Sequence, residues 1–568
     1  MKHNEVSIVL CGAAGQGVKT VEHILVHLLK QSGYHVFATK EYMSRIRGGS
    51  NSTTIRVSSE RVAAPVDRID ILLPFNEEAL WHLQRRISPE TVIVGDRTKI
   101  CKTCPSEAVT FIDVPLAEMA AEVGGKLFIN IIAAGVILGL LDIDRGMVSE
   151  FIRQFFAQKS NDVIENNITA IEKGCDEGQK LRSSNRIQMA LSEPQDMEEM
   201  LLNGADAVGL GALAGGCNFL SSYPMSPSTG VMVFLSQHAS DFDVVVEQAE
   251  DEISAINMAL GASYAGARAM VTTSGGGFAL MSEGVSLAGM IETPVVIHLA
   301  QRPGPATGLP TRTEQSDLEL VLYAGHGEFP RIVFAPGSLE EAFLLTQKAF
   351  NHASKYQVPV FVLTDQYMMD TFYNVPLFDL SNLRLDTHVV KTDKGYKRFA
   401  IAENGISPRG IPGLGEGLVG VDSDEHDEAA HITEDTDVRT VMVDKRLRKL
   451  DMLKEDVVSP ELFGSEEYDT LLIGWGSTCP IIREAMDSMG KDDLAFLHLK
   501  QVYPIPPDTK EFLEKARQTI IIENNATSQF GKLIKLTTGF SIKDRILKYD
   551  GLAFTVEELT KRIGEKIG

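Results

Sequence analysis

The sequence predicts an α/β protein built as three parallel-sheet domains in series. Two patterns carry that reading. Short apolar runs recur along the chain, each closed by a turn, and several lead into segments with helical periodicity. The third observation is the length of 568 residues, which suits three or four domains.

In the first domain, 1–185, "VSIVLCG" reads as a buried strand and "GVKTVEHILVHLLKQSG" as an amphipathic helix ending on Gly33. "HVFATKEYM", "IDILLPFN" and "TVIVGD" are further strands. The polar stretch "RSSNRIQMALSEPQDMEEM" marks a linker, 186–200. A second α/β domain, 201–378, carries the strands "DFDVVVEQ", "ARAMVTTSGGG", "TPVVIHLAQ", "PRIVFAPG" and "VPVFVLTDQ", with a helix at "SLEEAFLLTQKAF". Residues 379–459 are rich in glycine, proline and acid and read as an irregular connecting segment. The third α/β unit, 460–568, shows strands at "YDTLLIGWGS", "LAFLHLK" and "TIIIEN".

Composition excludes several classes. Hydrophobic residues make up 44% of the chain and mean hydropathy is −0.02, as in an ordinary globular protein. No apolar run approaches the ~20 residues of a membrane span. The N-terminal text enters a strand-like run at once, without the basic, apolar and cleavage regions of a signal peptide. A net charge of −23 argues against a nucleic-acid partner. The six cysteines are scattered, and Cys101-x-x-Cys104 is the only close pair. With no second pair to complete a four-ligand site it reads as incidental, so no metal site is expected. A reducing, cytoplasmic setting is expected.

In open α/β sheets ligands bind beyond the carboxyl ends of the strands. The first candidate by that rule is "CGAAGQGVKT", whose Gly12, Gly15, Gln16 and Gly17 form a turn between strand and helix. Such a turn suits a phosphate and, equally, tight strand-to-helix packing. The second is "VVVEQAEDEISAINMALGASYAGA", where Glu247, Glu250, Asp251 and Glu252 crowd a strand-to-helix transition. Acids favour a helix N-terminus, which accounts for three of the four. One of them is a candidate buried acid–base group, and spacing does not choose which. "TTSGGGFALMSEG" is another glycine bend. "LAQRPGPATGLPTRTEQSD" carries Arg302 and Arg312 in a stiff loop, suited to binding a carboxylate bidentately. Arg312 on its own reads as a solvated surface residue. "SSYPMSPSTG" holds Ser226 between two prolines in a rigid bend. The acidic, histidine-containing run at 421–437 reads as solvated.

Taken together, "YPMSPSTG", "EQAEDEISAINMALGASYAGARAM", "TSGGGFALMSEG", "QRPGPATGLPTRTEQSDL" and "HGEFPRIVFAPGS", in that order, resemble the alpha subunit of 2-oxoacid:ferredoxin oxidoreductases. "GAAGQGVKT…EYMSRIRGGSNSTTIRVSS" resembles the gamma domain of the same family, fused in front. The resemblance implies a Rossmann-like gamma domain, a thiamine-diphosphate pyrimidine-type domain and a transketolase C-terminal-like domain, the last assigned to packing between subunits. It implies oxidative decarboxylation of a 2-oxoacid, most closely 2-oxoglutarate, with coenzyme A taking the acyl group and ferredoxin the electrons. Pyruvate, branched-chain and aromatic 2-oxoacids stay open as substrates. Thiamine diphosphate would be shared with a separate beta subunit carrying Mg2+ and a [4Fe-4S] cluster, in a dimer of alpha–beta heterodimers.

The same resemblance implies the site. Glu250 matches the cofactor-activating glutamate, a role that calls for a buried carboxyl. Arg302 matches the arginine that holds the substrate carboxylate, and Thr311 a nearby substrate-side residue. Ser226 stands where the family has threonine, and Tyr223, Pro224, Ser274 and Gly275 fall on the cofactor side. The Gly12–Gly17 loop is a candidate for coenzyme A. A nicotinamide or flavin dehydrogenase using that loop is the rival reading.

Overall fold

Twenty strands are formed among the described residues: β1 (Glu5–Ala14), β2 (His35–Glu41), β3 (Gly48–Ser58), β4 (Ile71–Pro74), β5 (Val92–Gly95), β6 (Thr110–Asp113), β7 (Glu199–Asn203), β8 (Phe219–Ser222), β9 (Val245–Gln248), β10 (Ala269–Thr273), β11 (Val295–Gln301), β12 (Ile332–Phe334), β13 (Pro359–Asp365), β14 (Phe372–Pro376), β15 (Glu461–Gly464), β16 (Thr470–Trp475), β17 (Leu494–Leu499), β18 (Gln501–Tyr503), β19 (Gln518–Glu523) and β20 (Asp544–Leu547). The computed structural model describes residues 4–44, 48–100, 109–184, 191 and 198–568. The Cys101/Cys104 pair and most of the 186–200 linker lie outside the described residues. The chain forms two compact units.

The first unit takes in Met1–Leu202, Thr371–Leu377 and Thr555–Glu557. Its sheet runs β6-β5-β4-β1-β3-β2-β14-β7. β1, β4, β5 and β6 pair in parallel, as expected. β3 is antiparallel to both β1 and β2, so this sheet is mixed. The connection from β2 to β3 is too short for a crossover helix, which leaves only an antiparallel return. The helix Val18–Gln31 covers the sheet with Val21, Ile24, Leu25 and Leu28, and Gly33, at φ 84°, closes it by donating to the Lys30 carbonyl.

The second unit holds two sheets. The seven-stranded one runs β18-β12-β13-β11-β10-β8-β9, and every pair in it is parallel except β12–β18. The five-stranded one runs β15-β17-β16-β19-β20, parallel except for β15. One apolar core joins them, with Val271, Ile297 and Phe361 of the larger sheet and Ile473, Trp475 and Leu497 of the smaller. Strands β10, β11 and β13 are buried along their whole length, which is why they read as continuous apolar runs.

The segment expected to be irregular, 379–459, in fact closes with a 20-residue helix, Thr436–Glu455, capped by the Asp435 carboxylate. Its buried stripe is Met442, Lys445, Arg446, Lys449 and Leu453, helical in period but charged at three of five places. Glu292 receives Lys445 at 2.6 Å and Lys449 at 2.5 Å. The acidic run is not simply solvated either. Glu425 accepts both guanidinium arms of Arg446 and pairs with Arg439, and His426 is fully buried against the Phe399 ring. Cations from the Thr436–Glu455 helix pull the run inward. No helix among the described residues is long and apolar enough to cross a membrane.

Candidate active site

The parallel register of the seven-stranded sheet brings the carboxyl ends of β9, β8, β10, β11 and β13 into one row. Glu250 follows β9, Tyr223 to Ser226 follow β8, Ser274 and Gly275 follow β10, and Arg302 follows β11. The predicted site residues of this unit therefore share one edge, the ligand edge of open α/β sheets.

The bend after β8 is tied down from beneath. Ser222 Oγ donates to the Thr272 carbonyl at 2.6 Å, and Ser228 donates to the Met225 carbonyl through both N and Oγ. Tyr223 and Ser226 stay exposed, with Pro224 half-buried between them and a cis Ser226–Pro227 peptide beyond. Arg302 Nη1 donates to the Ser226 carbonyl at 2.8 Å. Burial pulls the Arg302 pKa down, against the opposing charge of Asp317.

The glycine bend after β10 is filled from both sides. A Cβ at Gly275 would collide with both oxygens of the Asp317 carboxyl, and one at Gly277 would come within 2.6 Å of Glu252 Oε1. Glu252 is 3% exposed. Three buried oxygens around this bend have no hydrogen-bond partner: Ser274 Oγ, Glu252 Oε1 and Asp317 Oδ2. Native proteins seldom leave such groups unpaired.

The four acids now separate. Glu247 and Glu250 are exposed, and Asp251 caps the Glu252–Tyr264 helix by accepting from Ser254 N at 2.7 Å. The burial demanded of the cofactor-activating carboxyl is met at Glu252 and is not met at Glu250 within this chain.

Thr311 is half-buried in the loop after β11, and that loop is clamped from the C-terminal region. Gln315 N donates to the Asn524 carbonyl at 2.7 Å and its Oε1 accepts from Asn524 N at 2.9 Å. Its Nε2 donates to the Trp475 carbonyl at 2.8 Å, and its own carbonyl accepts from Asn525 Nδ2 at 3.1 Å. Thr313 N donates to the Gly551 carbonyl at 3.1 Å. Gln315 and Asn524 carry no local signal because they meet across 209 positions of chain, whereas Asp317 bonds Gln301 only 16 positions away and is set apart by its unpartnered buried oxygen. A cavity of about 690 Å³ lies elsewhere in this unit, along Ile253, Asn257, Leu287, Arg439 and Arg446, and no predicted site residue lines it.

In the first unit, Gln16 Oε1 accepts from Ala13 N at 2.7 Å and from Asn76 Nδ2 at 3.0 Å. A Cβ would meet Phe75 at Gly12 and Asn130 at Gly17, so close packing accounts for both glycines. Gly15, at φ 88°, has open space around it.

Two family models match the chain. That for pyruvate flavodoxin/ferredoxin oxidoreductase, thiamine-diphosphate-binding, covers residues 210–445, and that for pyruvate ferredoxin/flavodoxin oxidoreductase covers residues 7–177. The 2-oxoacid:ferredoxin oxidoreductase subunit alpha of Sulfolobus sp is 32% identical over 98% of this chain and 96% of its own. The 2-oxoglutarate oxidoreductase subunit KorA of Mycobacterium tuberculosis is 31% identical over 78% of this chain and 69% of its own. A solved structure of 2-oxoglutarate:ferredoxin oxidoreductase from Magnetococcus marinus, with 2-oxoglutarate, coenzyme A and succinyl-CoA bound, aligns at TM-score 0.93 and 30% identity over all of both chains. The Sulfolobus and Magnetococcus marinus matches run the length of the chain, and the second family model spans the glycine loop, which displaces the dehydrogenase reading of that loop. The chain belongs to the 2-oxoacid:ferredoxin oxidoreductases, an enzyme family, as an alpha subunit.

Proposed function

We propose that this chain is the pyrimidine-side half of a cytoplasmic, thiamine-diphosphate-dependent oxidoreductase. The enzyme converts 2-oxoglutarate and coenzyme A to succinyl-CoA and carbon dioxide, and two electrons leave to ferredoxin. A beta chain supplies the diphosphate and Mg2+ site and the [4Fe-4S] cluster, in a dimer of heterodimers. The first domain, with its Gly12–Gly17 loop, serves coenzyme A. Two relatives support 2-oxoglutarate as the substrate: the Magnetococcus marinus enzyme and the Mycobacterium tuberculosis subunit.

One observation carries the reading. Two unpartnered buried oxygens, on Ser274 and Glu252, flank a glycine bend at the sheet edge, next to an arginine. That set suits an aminopyrimidine, which offers ring nitrogen and amino groups to just such partners. Ser274, Gly275 and Glu252 would hold it, with Tyr223 and Pro224 forming a wall. When bound, thiamine diphosphate supplies the electron sink that makes loss of carbon dioxide from a 2-oxoacid possible. Glu252 holds a proton at a ring nitrogen, the role the resemblance places two positions earlier at Glu250. Arg302, oriented by the Ser226 carbonyl, takes the 1-carboxylate of the substrate. Thr311 and Ser226 line the substrate side.

The test is co-expression with a beta-type chain, followed by assay with coenzyme A, a viologen acceptor and a panel of 2-oxoacids. The expected result is turnover only with both chains present and the highest kcat/KM for 2-oxoglutarate. Turnover by this chain alone would overturn the half-site, and preference for pyruvate, a branched-chain or an aromatic 2-oxoacid would overturn the substrate.

A further inference from the structure

Asp317 lies between the two parts of the site without being explained by either. Its backbone N–H donates to Gln301 Oε1 at 3.0 Å, which fixes the residue beside the end of β11. Its carboxyl lies over Gly275, where an added Cβ would come within 2.4 Å of both of its oxygens, and Oδ2 is buried with no partner. The Gly275–Leu280 helix that it packs on contains no titratable side chain. The charged groups acting on Asp317 are Glu314 in its own loop and Arg302 after β11. Asp550 in turn acts on Glu314, and Glu319 on the next helix is turned to Lys532 at 2.9 Å.

We propose that the Asp317 carboxyl is a further member of the substrate-anion pocket, setting how much of the Arg302 charge an incoming carboxylate meets. The inference rests on Arg302 as the substrate-binding cation. A buried carboxylate beside that arginine competes with the substrate for the same positive charge, whereas a neutral carboxylic acid does not. Burial and then the neighbouring Glu314 raise the Asp317 pKa to about 7, against the opposing pull of Arg302. The two states therefore exchange in the physiological range. Below that point Asp317 is neutral and the full charge of Arg302 is available. Above it Asp317 is ionised and the pocket repels anions more. By linkage, a bound 2-oxoacid anion raises the Asp317 pKa further, so substrate binding near neutral pH takes up a proton.

The experiment uses the complex of this chain with its beta-type partner and follows KM for the 2-oxoacid from pH 6 to pH 8.5. In the wild type KM rises on the order of tenfold across this range, equivalent to about 1.4 kcal/mol. Asp317→Asn, neutral at every pH, brings the alkaline KM down to the acid-side value. Glu314→Gln removes a like charge, so the rise moves to lower pH, an effect that a packing role for Asp317 would not produce. Infrared difference spectra between pH 6 and pH 8 give a readout independent of turnover: a carboxylic-acid C=O band disappears on ionisation in the wild type and is missing in Asp317→Asn. A KM–pH curve unchanged by Asp317→Asn, or a band that persists in it, overturns the proposal. If that variant does not fold, an unshifted curve in Glu314→Gln overturns it. Arg302→Lys separates the two layers. An unchanged KM there removes the arginine reading itself. A raised KM with no effect of Asp317→Asn removes only the role of Asp317.

Discussion

The Arg302 guanidinium donates from Nη1 to the backbone carbonyl of Ser226 at 2.8 Å, so the arginine after β11 is aimed by the bend after β8. The contact is to a carbonyl, which every residue at 226 would provide. The prolines on either side of the bend therefore matter to the arginine more than the serine hydroxyl does. The hydroxyl is exposed and free to face a ligand.

Substitution at the two positions should accordingly have unequal effects. Arg302→Lys loses the planar fork and the anchored geometry, and KM for the 2-oxoacid should rise by roughly one to two orders of magnitude. Ser226→Ala removes one neutral hydrogen bond at most and should raise KM several-fold less than Arg302→Lys does. Steady-state kinetics on the two variants decide it. Equal losses would mean that the hydroxyl, and not the carbonyl, is the working group.

Glu252 and Glu250 offer a second comparison. Glu252 is buried with an unpaired oxygen under the Gly275–Gly277 bend, and Glu250 is exposed. Glu252→Gln keeps the shape and loses the proton, so kcat should fall by about 10²–10⁴. Glu250→Gln should cost far less. Thiamine diphosphate binding, followed by fluorescence quenching, separates lost chemistry from lost cofactor. A larger kcat loss in Glu250→Gln would return the role to that residue.

How far the sequence carried can be read from particular residues. β10, β11 and β13 are legible because both of their faces are buried, and their parallel order marks out a carboxyl edge of the kind at which open α/β sheets bind ligands. β3 does not announce itself as a strand, since the run of Ser50, Ser52, Thr53 and Thr54, buried as they are, carries little hydrophobic signal. The Thr436–Glu455 helix was hidden for a related reason: Lys445, Arg446 and Lys449 occupy the stripe where apolar residues would have announced it. Glu250 and Glu252 look alike in a row of acids, and only the rotation of the helix they enter decides which is buried. Gln315 carried no local signal at all, because Asn524, which it bonds twice, is more than 200 residues away.

The buried ion pairs of that helix make a stability prediction. Lys445 and Lys449 are 0% and 1% exposed on their side chains, and both meet Glu292. Burial alone would raise the Glu292 pKa, but Lys449, Lys445 and Arg398 hold its carboxyl well below the usual range. Glu292→Gln strands two buried cations and should destabilise the protein by about 3–5 kcal/mol. The wild-type contribution is present above the unfolded-state pKa of the carboxyl and is lost in acid. Denaturant melts of wild type and variant at neutral pH test this, and equal midpoints would show that the pairs contribute nothing net.

His498 and Glu341 give the opposite pH signature. His498 Nε2 meets Glu341 Oε2 at 3.0 Å, and the imidazole is fully buried. Burial opposes the imidazolium, yet Cys479 and Glu341 beside it raise the His498 pKa to about 10. Burial likewise opposes the Glu341 carboxylate, which His498 and Lys500 lower to about 2. A group whose pKa is raised on folding stabilises fully below its unfolded-state value of 6.5, and that contribution disappears as pH climbs through 10. The carboxylate works in the other direction, present above 4.5 and lost toward 2. The pair therefore contributes most between those limits and fades on both sides. His498→Gln should lower stability most near pH 6, by roughly 3 kcal/mol for breaking a buried pair, and by much less at pH 10. Thermal melts of wild type and variant across that span measure the difference directly. A gap that stays constant with pH would mean that His498 is neutral and holds Glu341 by an ordinary hydrogen bond.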